Sequence, residues 1–238
     1  MAVGTVSETK RPKRSAGPPE GLASTKQQRN PERSRQRILK AATDDFCAHG
    51  FNGARVERIA RKSGANMRML YHYFGSKEGL YLAALEKVYS EIRSEERKLN
   101  LATLDPVAGM RELVCFTFDF FATHPDFVGL INNENLMKGR FLKKSPKIRD
   151  MTIPLVETID DLLSRGIAAG VMRSGVDPIH LYISIVAQSQ LHISNRYTLS
   201  AIFDRDLGDR EWLNERRRHA QELILGYLTA DKPNRKGA

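Results

Sequence analysis

Between Gly64 and Gly75 the chain has room for only about two helical turns, and it fills them with Met67, Arg68, Met69, Leu70, Tyr71, His72, Tyr73 and Phe74. A helix so short is not stable alone in water, so neighbouring elements must hold it. At about 100° per residue, Leu70 and Phe74 share one side and face a core. Arg68 and His72 fall opposite, with Met69 and Tyr71 flanking them. The large outward side chains therefore need a partner other than the small core beneath them.

The neighbours are legible on either side. Upstream, Ile38, Ala42 and Phe46 form one apolar face at i, i+4, i+8, and the segment stops at His49-Gly50. The stretch "VERIARKSG" then places Val56, Ile59 and Ala60 on one face and closes at Gly64. Asn66 caps the short helix, and Ser76 caps a longer one whose stripe is Leu80, Ala84 and Val88. A capping residue followed by proline recurs at Asn30-Pro31, Asp105-Pro106, Ser145-Pro146 and Asp177-Pro178. Proline suits the first helical position because its missing N–H would be unpaired there anyway, so four helices are expected to begin at these points. Downstream, helices are expected near 105–122, 125–138, 146–169, 177–195 and 209–229, with Pro154 kinking the third of these. No useful alternating pattern appears, and the chain reads as all-α.

Charge is unevenly distributed. Residues 1–30 carry six Lys/Arg against two Asp/Glu, residues 31–80 carry ten against five, and the remaining 158 carry 22 against 21. A basic first third beside a nearly neutral remainder favours a module that binds a polyanion. The expected division is a basic disordered arm over 1–30, a small basic helical domain over 31–92, a larger helical domain over 93–230, and a disordered tail over 231–238. Cys47 and Cys115 have no CxxC partner, so neither a disulfide framework nor a metal site is indicated. No apolar run is long enough for a membrane span and the basic start has no apolar h-region, so a cytoplasmic protein is expected.

A short second helix, the turn "SGAN" and a third helix with a basic, aromatic outer face make a helix-turn-helix, whose last helix enters the DNA major groove. Arginine donates in a fork to guanine O6 and N7, while tyrosine and histidine reach phosphates. The stretches "RILKAATDDFCAHGF", "VERIARKSG" and above all "LYHYFGSKEGLY" resemble the TetR family of transcriptional regulators over residues 33 to 90. That resemblance implies a homodimer whose two recognition helices read a palindromic double-stranded operator, and a larger helical domain that dimerises and binds a small effector. Carried over by position, it assigns Asn66, Met67, Arg68, Met69, Tyr71 and His72 to the recognition helix and its cap. Tyr73 and Lys77 become phosphate contacts, and Arg55 a contact at the start of the second helix. Methionine at 67 and 69 replaces the family's hydrogen-bonding groups, which leaves thymine-methyl contact as their role.

Beyond residue 100 the helix order and the stretch around Gln190 loosely resemble the pyrimidine-utilisation regulators of the same family. Polar residues interrupt apolar helices there, namely Asn133, Glu134, Gln188, Gln190 and His192. A buried amide left unpaired costs about 1–3 kcal/mol, so each needs a bound effector, the other subunit or a backbone group as its partner. Phe116, Phe120 and Met137 are candidate walls for an apolar pocket, or plain core. Trp212, Leu223 and Tyr227 lie on a stripe of the last helix that marks a dimer surface.

No G-x-S-x-G, HExxH or glycine-rich phosphate loop appears, so an enzyme is not expected, and no cofactor is called for. The expected function is a repressor released from its operator by a small molecule. The rival is a DNA-architectural protein that needs no effector, against which stands the large, nearly neutral second domain.

Overall fold

A computed structural model describes residues 31–229, together with Met1 and Gly4. The expected basic arm and C-terminal tail lie outside the described residues. Ten α-helices follow one another with no strand among the described residues: α1 (Pro31–Gly53), α2 (Val56–Ser63), α3 (Met67–Phe74), α4 (Lys77–Lys98), α5 (Pro106–Thr123), α6 (Pro125–Leu136), α7 (Pro146–Ala168), α8 (Pro178–Ser194), α9 (Arg196–Phe203) and α10 (Arg210–Thr229). The all-α expectation holds.

Local capping chemistry sets most of the starts. Asp105 accepts from the amides of Val107 and Ala108, Ser145 from Ile148, and Asp177 from His180. Asn66 and Ser76 cap α3 and α4 in the same way, through the amides of Met69 and Gly79. The expected stop at His49-Gly50 is a break rather than an end. Gly50 takes φ 65 and ψ 176, a conformation open essentially to glycine alone, and helical structure resumes to Gly53. α7 runs continuously through Pro154, whose missing N–H leaves the Asp150 carbonyl without its helical donor.

α9 was not anticipated. Its eight residues include none that is buried, and Tyr197, Ile202 and Phe203 lie 84%, 71% and 67% exposed. Such a helix has no inward stripe for a periodicity argument to find.

Two cores organise the helices. The first joins Ile38, Phe46, Ile59, Leu70, Leu80 and Tyr81 to Phe120, Phe127 and Phe141. It therefore bridges the N-terminal helices and α5–α6. The second gathers Met110, Leu113, Ile159, Leu162, Ile185 and Leu228 from α5, α7, α8 and α10. The division expected at residues 92/93 falls inside α4, which continues unbroken to Lys98.

Candidate nucleic-acid interface

The interface is built on α1 to α4. Leu70 and Phe74 are buried beneath α3, while Arg68, Tyr71 and His72 are exposed, as the wheel requires. Met67 and Tyr73 are half-buried and packed on the first core. Met69 is also half-buried. Asn66 spends its side-chain oxygen on the Met69 amide at 2.8 Å, so its first task is to start the helix.

Two glycines shape the turns. Gly64 closes α2 at φ 64, with its N–H directed at the carbonyls of Ala60 and Arg61. Gly79 permits a close approach between α3 and α4: a Cβ there would lie 2.1 Å from the Phe74 carbonyl oxygen. Lys77, in the first turn of α4, is half-buried with its ammonium 4.9 Å from the centre of the Phe51 ring. That cation–π contact, rather than an ion pair, ties the start of α4 to the end of α1.

Sequence reasoning missed the residue that fixes α2. Asp45 of α1 is fully buried, accepts from the Arg55 amide at 3.2 Å and from Arg58 Nη2 at 2.9 Å, and has Lys62 at 3.8 Å. Burial acts to raise its pKa, but the hydrogen bonds from Arg58 and Arg55 and the charges of Arg58 and His49 outweigh it and hold the carboxyl below its ordinary value. Arg55 thus uses its backbone in the fold and keeps its side chain exposed. The one available signal was "DD" at 44–45, where one acid faces solvent and the other lies inside.

The residues expected to meet an effector are scattered. Phe116 and Phe120 line an open cleft of about 740 Å³ between α1, α4 and α5, with Cys115, Asp119 and His124. Asn133 donates to the carbonyls of Phe46 and Gly129, at 3.2 and 2.9 Å. Glu134, almost wholly buried, accepts from the amides of Phe141 and Leu142 at 2.6 and 3.0 Å and so ties down the loop after α6. Met137 packs on the first core. Gln188 accepts from Arg216 at 2.6 Å, and Gln190 is half-buried nearby on α8. His192 is buried against Phe118, with ring centres 5.0 Å apart, and lies 5.5 Å from Trp212. Burial, with Arg216 beside it, pushes its pKa down to about 4.

The proposed dimer stripe divides into two parts. Ala220 and Ile224 are buried within the protomer, Trp212 is half-buried, and Leu223 and Tyr227 stand 45% and 49% exposed. On α8, Ile179, Ile183 and Leu191 are exposed as well.

Comparison with known proteins places both halves. Residues 38–84 match the model of bacterial regulatory proteins of the tetR family, and residues 106–224 match the tetracyclin repressor-like C-terminal domain. The chain is 38% identical over 180 residues to the HTH-type transcriptional repressor NicS of Pseudomonas putida, covering 76% of this chain and 85% of that protein. It is 29% identical over 192 residues to the HTH-type transcriptional regulator RutR of Escherichia coli, covering 79% and 87%. Among solved structures it shares its fold with the ketosteroid transcriptional regulator KstR2 of Mycobacterium tuberculosis (TM-score 0.62, 22% identity, 83% of this chain and 95% of that one). It also shares its fold with FadR of Bacillus subtilis in complex with stearoyl-CoA (TM-score 0.61, 16% identity, 81% and 98%).

Proposed function

This chain belongs to the TetR family of bacterial transcriptional regulators, and from that premise we propose that it represses transcription as a homodimer bound to a palindromic operator and released by a small molecule. The carrying observation is the division of α3, with Leu70 and Phe74 buried and Arg68, Tyr71 and His72 left in solvent. A helix that exposes a cation and two aromatic hydrogen-bonding groups, while its neighbours fix its angle, is suited to a major groove.

In this reading Arg68 forks onto a base edge, Tyr71 and His72 reach bases or phosphates, and Met67 and Met69 offer apolar contact. Arg55, Tyr73 and Lys77 steady the backbone, and Asn66 presents the N-terminus of α3. Leu223 and Tyr227 on α10, with Ile183 on α8, supply a self-complementary face for a two-fold partner. Among the described residues no helix is long and apolar enough to cross a membrane. The chain acts by binding, with no catalytic step.

The test is a footprint of the purified protein on the DNA upstream of its own gene, repeated at rising salt. Protection of two half-sites about one helical turn apart, surviving salt that removes binding to random duplex, is expected. Equal loss on both DNAs would support the architectural alternative instead.

A further inference from the structure

Arg93 lies on α4 and is 3% exposed. Its Nη2 donates to Tyr182 Oη on α8 at 2.8 Å. Its Nη1 is 2.7 Å from Oε2 of Glu96, one turn further along α4 and itself 6% exposed. Nε and Nη1 have no hydrogen-bond acceptor and neither Glu96 oxygen receives a hydrogen bond, so the contact with Glu96 is an ion pair without hydrogen-bond geometry. Buried charges are retained at a cost, and open hydrogen-bonding positions on both members make this pair an unfinished site.

Two cavities flank Arg93. One of about 550 Å³ lies between α4, α7 and α8, walled chiefly by Tyr89, Ile148, Ile153, Val156, Ile179 and Tyr182. The other, about 250 Å³, lies between the end of α4, the turn at Leu101–Thr103 and α7, with Met151, Pro154 and Leu155 on its far side. Arg93 lines both. The charged residues around the two are Arg93, Arg97 and Arg149 against Glu96 and Glu157.

We propose that this is the effector site and that its ligand is a small monocarboxylate with an apolar body, the carboxylate bound in the fork of Arg93 and the body lying along Tyr89, Ile148, Val156 and Tyr182. The proposal rests on the reading of the chain as an effector-released regulator and names the chemistry of that effector. The planar guanidinium edge matches a carboxylate in two parallel hydrogen bonds. A phosphate dianion would bring more charge than one buried guanidinium compensates, and a cationic ligand would face an excess of arginines.

Glu96 makes room for the ligand. Burial raises its pKa against the opposing charges of Arg93 and Arg97, to about 7. A second carboxylate arriving at Arg93 displaces Glu96 from Nη1, and Glu96 takes up one proton from solvent. The other groups near it are Tyr182 from α8, the uncharged Met151, Pro154, Leu155 and Thr158 from α7, and the turn at Leu101–Thr103, whose Leu101 carbonyl accepts from Arg165. Binding therefore consumes a proton, and affinity falls as pH rises through about 7.

The test titrates full-length protein with phenylacetate and octanoate, each beside its own amide, by calorimetry and thermal shift at about pH 6 and pH 8. At least one acid is expected to bind about tenfold or more tighter than its amide, and tighter at the lower pH. Arg93→Gln alone strands Glu96, so the informative variant is Arg93→Gln with Glu96→Gln, which keeps the buried site neutral. It should fold and bind acid and amide equally. Glu96→Gln alone should keep the acid preference and lose its pH dependence. Absence of binding by both acids, equal binding of acid and amide, or a preference surviving in the double variant overturns the proposal. Binding to the upstream DNA is measured alongside: its retention confines a failure to the effector assignment, whereas its absence removes the regulator reading itself.

Discussion

Arg58 of α2 grips the buried carboxylate of Asp45 on α1, with Nη2 2.9 Å from Oδ2, while the same carboxylate accepts the Arg55 amide that opens α2. One acid thus sets both the position and the start of the helix that supports α3. Asp45→Asn keeps the shape and removes the charge. It should destabilise the fold by about 1–3 kcal/mol, read by urea unfolding. Asp45 has a lowered pKa, so its contribution is present above its ordinary value of 3.8 and is lost as pH falls through the lower folded value. The acid limb of the stability curve should therefore flatten in the variant, and an unchanged limb would show that Asp45 carries no such charge effect.

Arg68 and Lys77 should fail differently on DNA. Arg68→Ala should cost about 1–3 kcal/mol on the operator and relax preference mainly at one base pair per half-site. Lys77→Ala should weaken operator and random DNA alike and make the salt slope shallower by about one phosphate per subunit. Titrations on operator, single-base variants and random duplex decide between them. Matching, sequence-independent losses would reduce Arg68 to a phosphate contact.

Leu223→Glu combined with Tyr227→Glu puts like charges on both sides of a two-fold face. Sedimentation at micromolar concentration should show a monomer with an unchanged helical content, and operator affinity should fall with it. A persistent dimer would move the interface elsewhere, with the exposed α9 the next surface to examine.

His192 has a folded pKa near 4 against an ordinary 6.5, so the unfolded chain takes up a proton first as pH falls. Its contribution is intact above 6.5 and declines toward 4, a loss on the order of 3 kcal/mol. Glu96 works in the opposite sense, favouring the fold at low pH and losing that contribution as pH rises toward 7. The wild-type curve sums the two, so the useful quantity is a difference. His192→Phe should gain stability relative to wild type as pH falls from 6.5 to 4, measured by thermal unfolding. A constant offset would show that burial does not depress the His192 pKa.

The amino-acid sequence by itself determined where most helices begin and which way α3 faces. Asn66, Ser76, Asp105, Ser145 and Asp177 each bond to amides two or three residues ahead. The inward pair Leu70 and Phe74 follows from the helical period alone. Interactions closed within one turn of chain need no knowledge of the fold, which is why they were legible.

Tertiary structure decided the rest, because the partners are remote. Asn133 meets the Phe46 carbonyl 87 residues away, and Arg93 meets Tyr182 across 89. Polarity within an apolar helix announced that Asn133 and Glu134 needed partners, but nothing local told a backbone amide from a ligand. Arg93 and Glu96 gave no signal, since "SEIRSEERK" reads as a solvated charged face until α7 packs on it and Tyr182 of α8 reaches Arg93. Burial turns an ordinary i, i+3 pair into an unfinished binding site, and only the packed helices supply it.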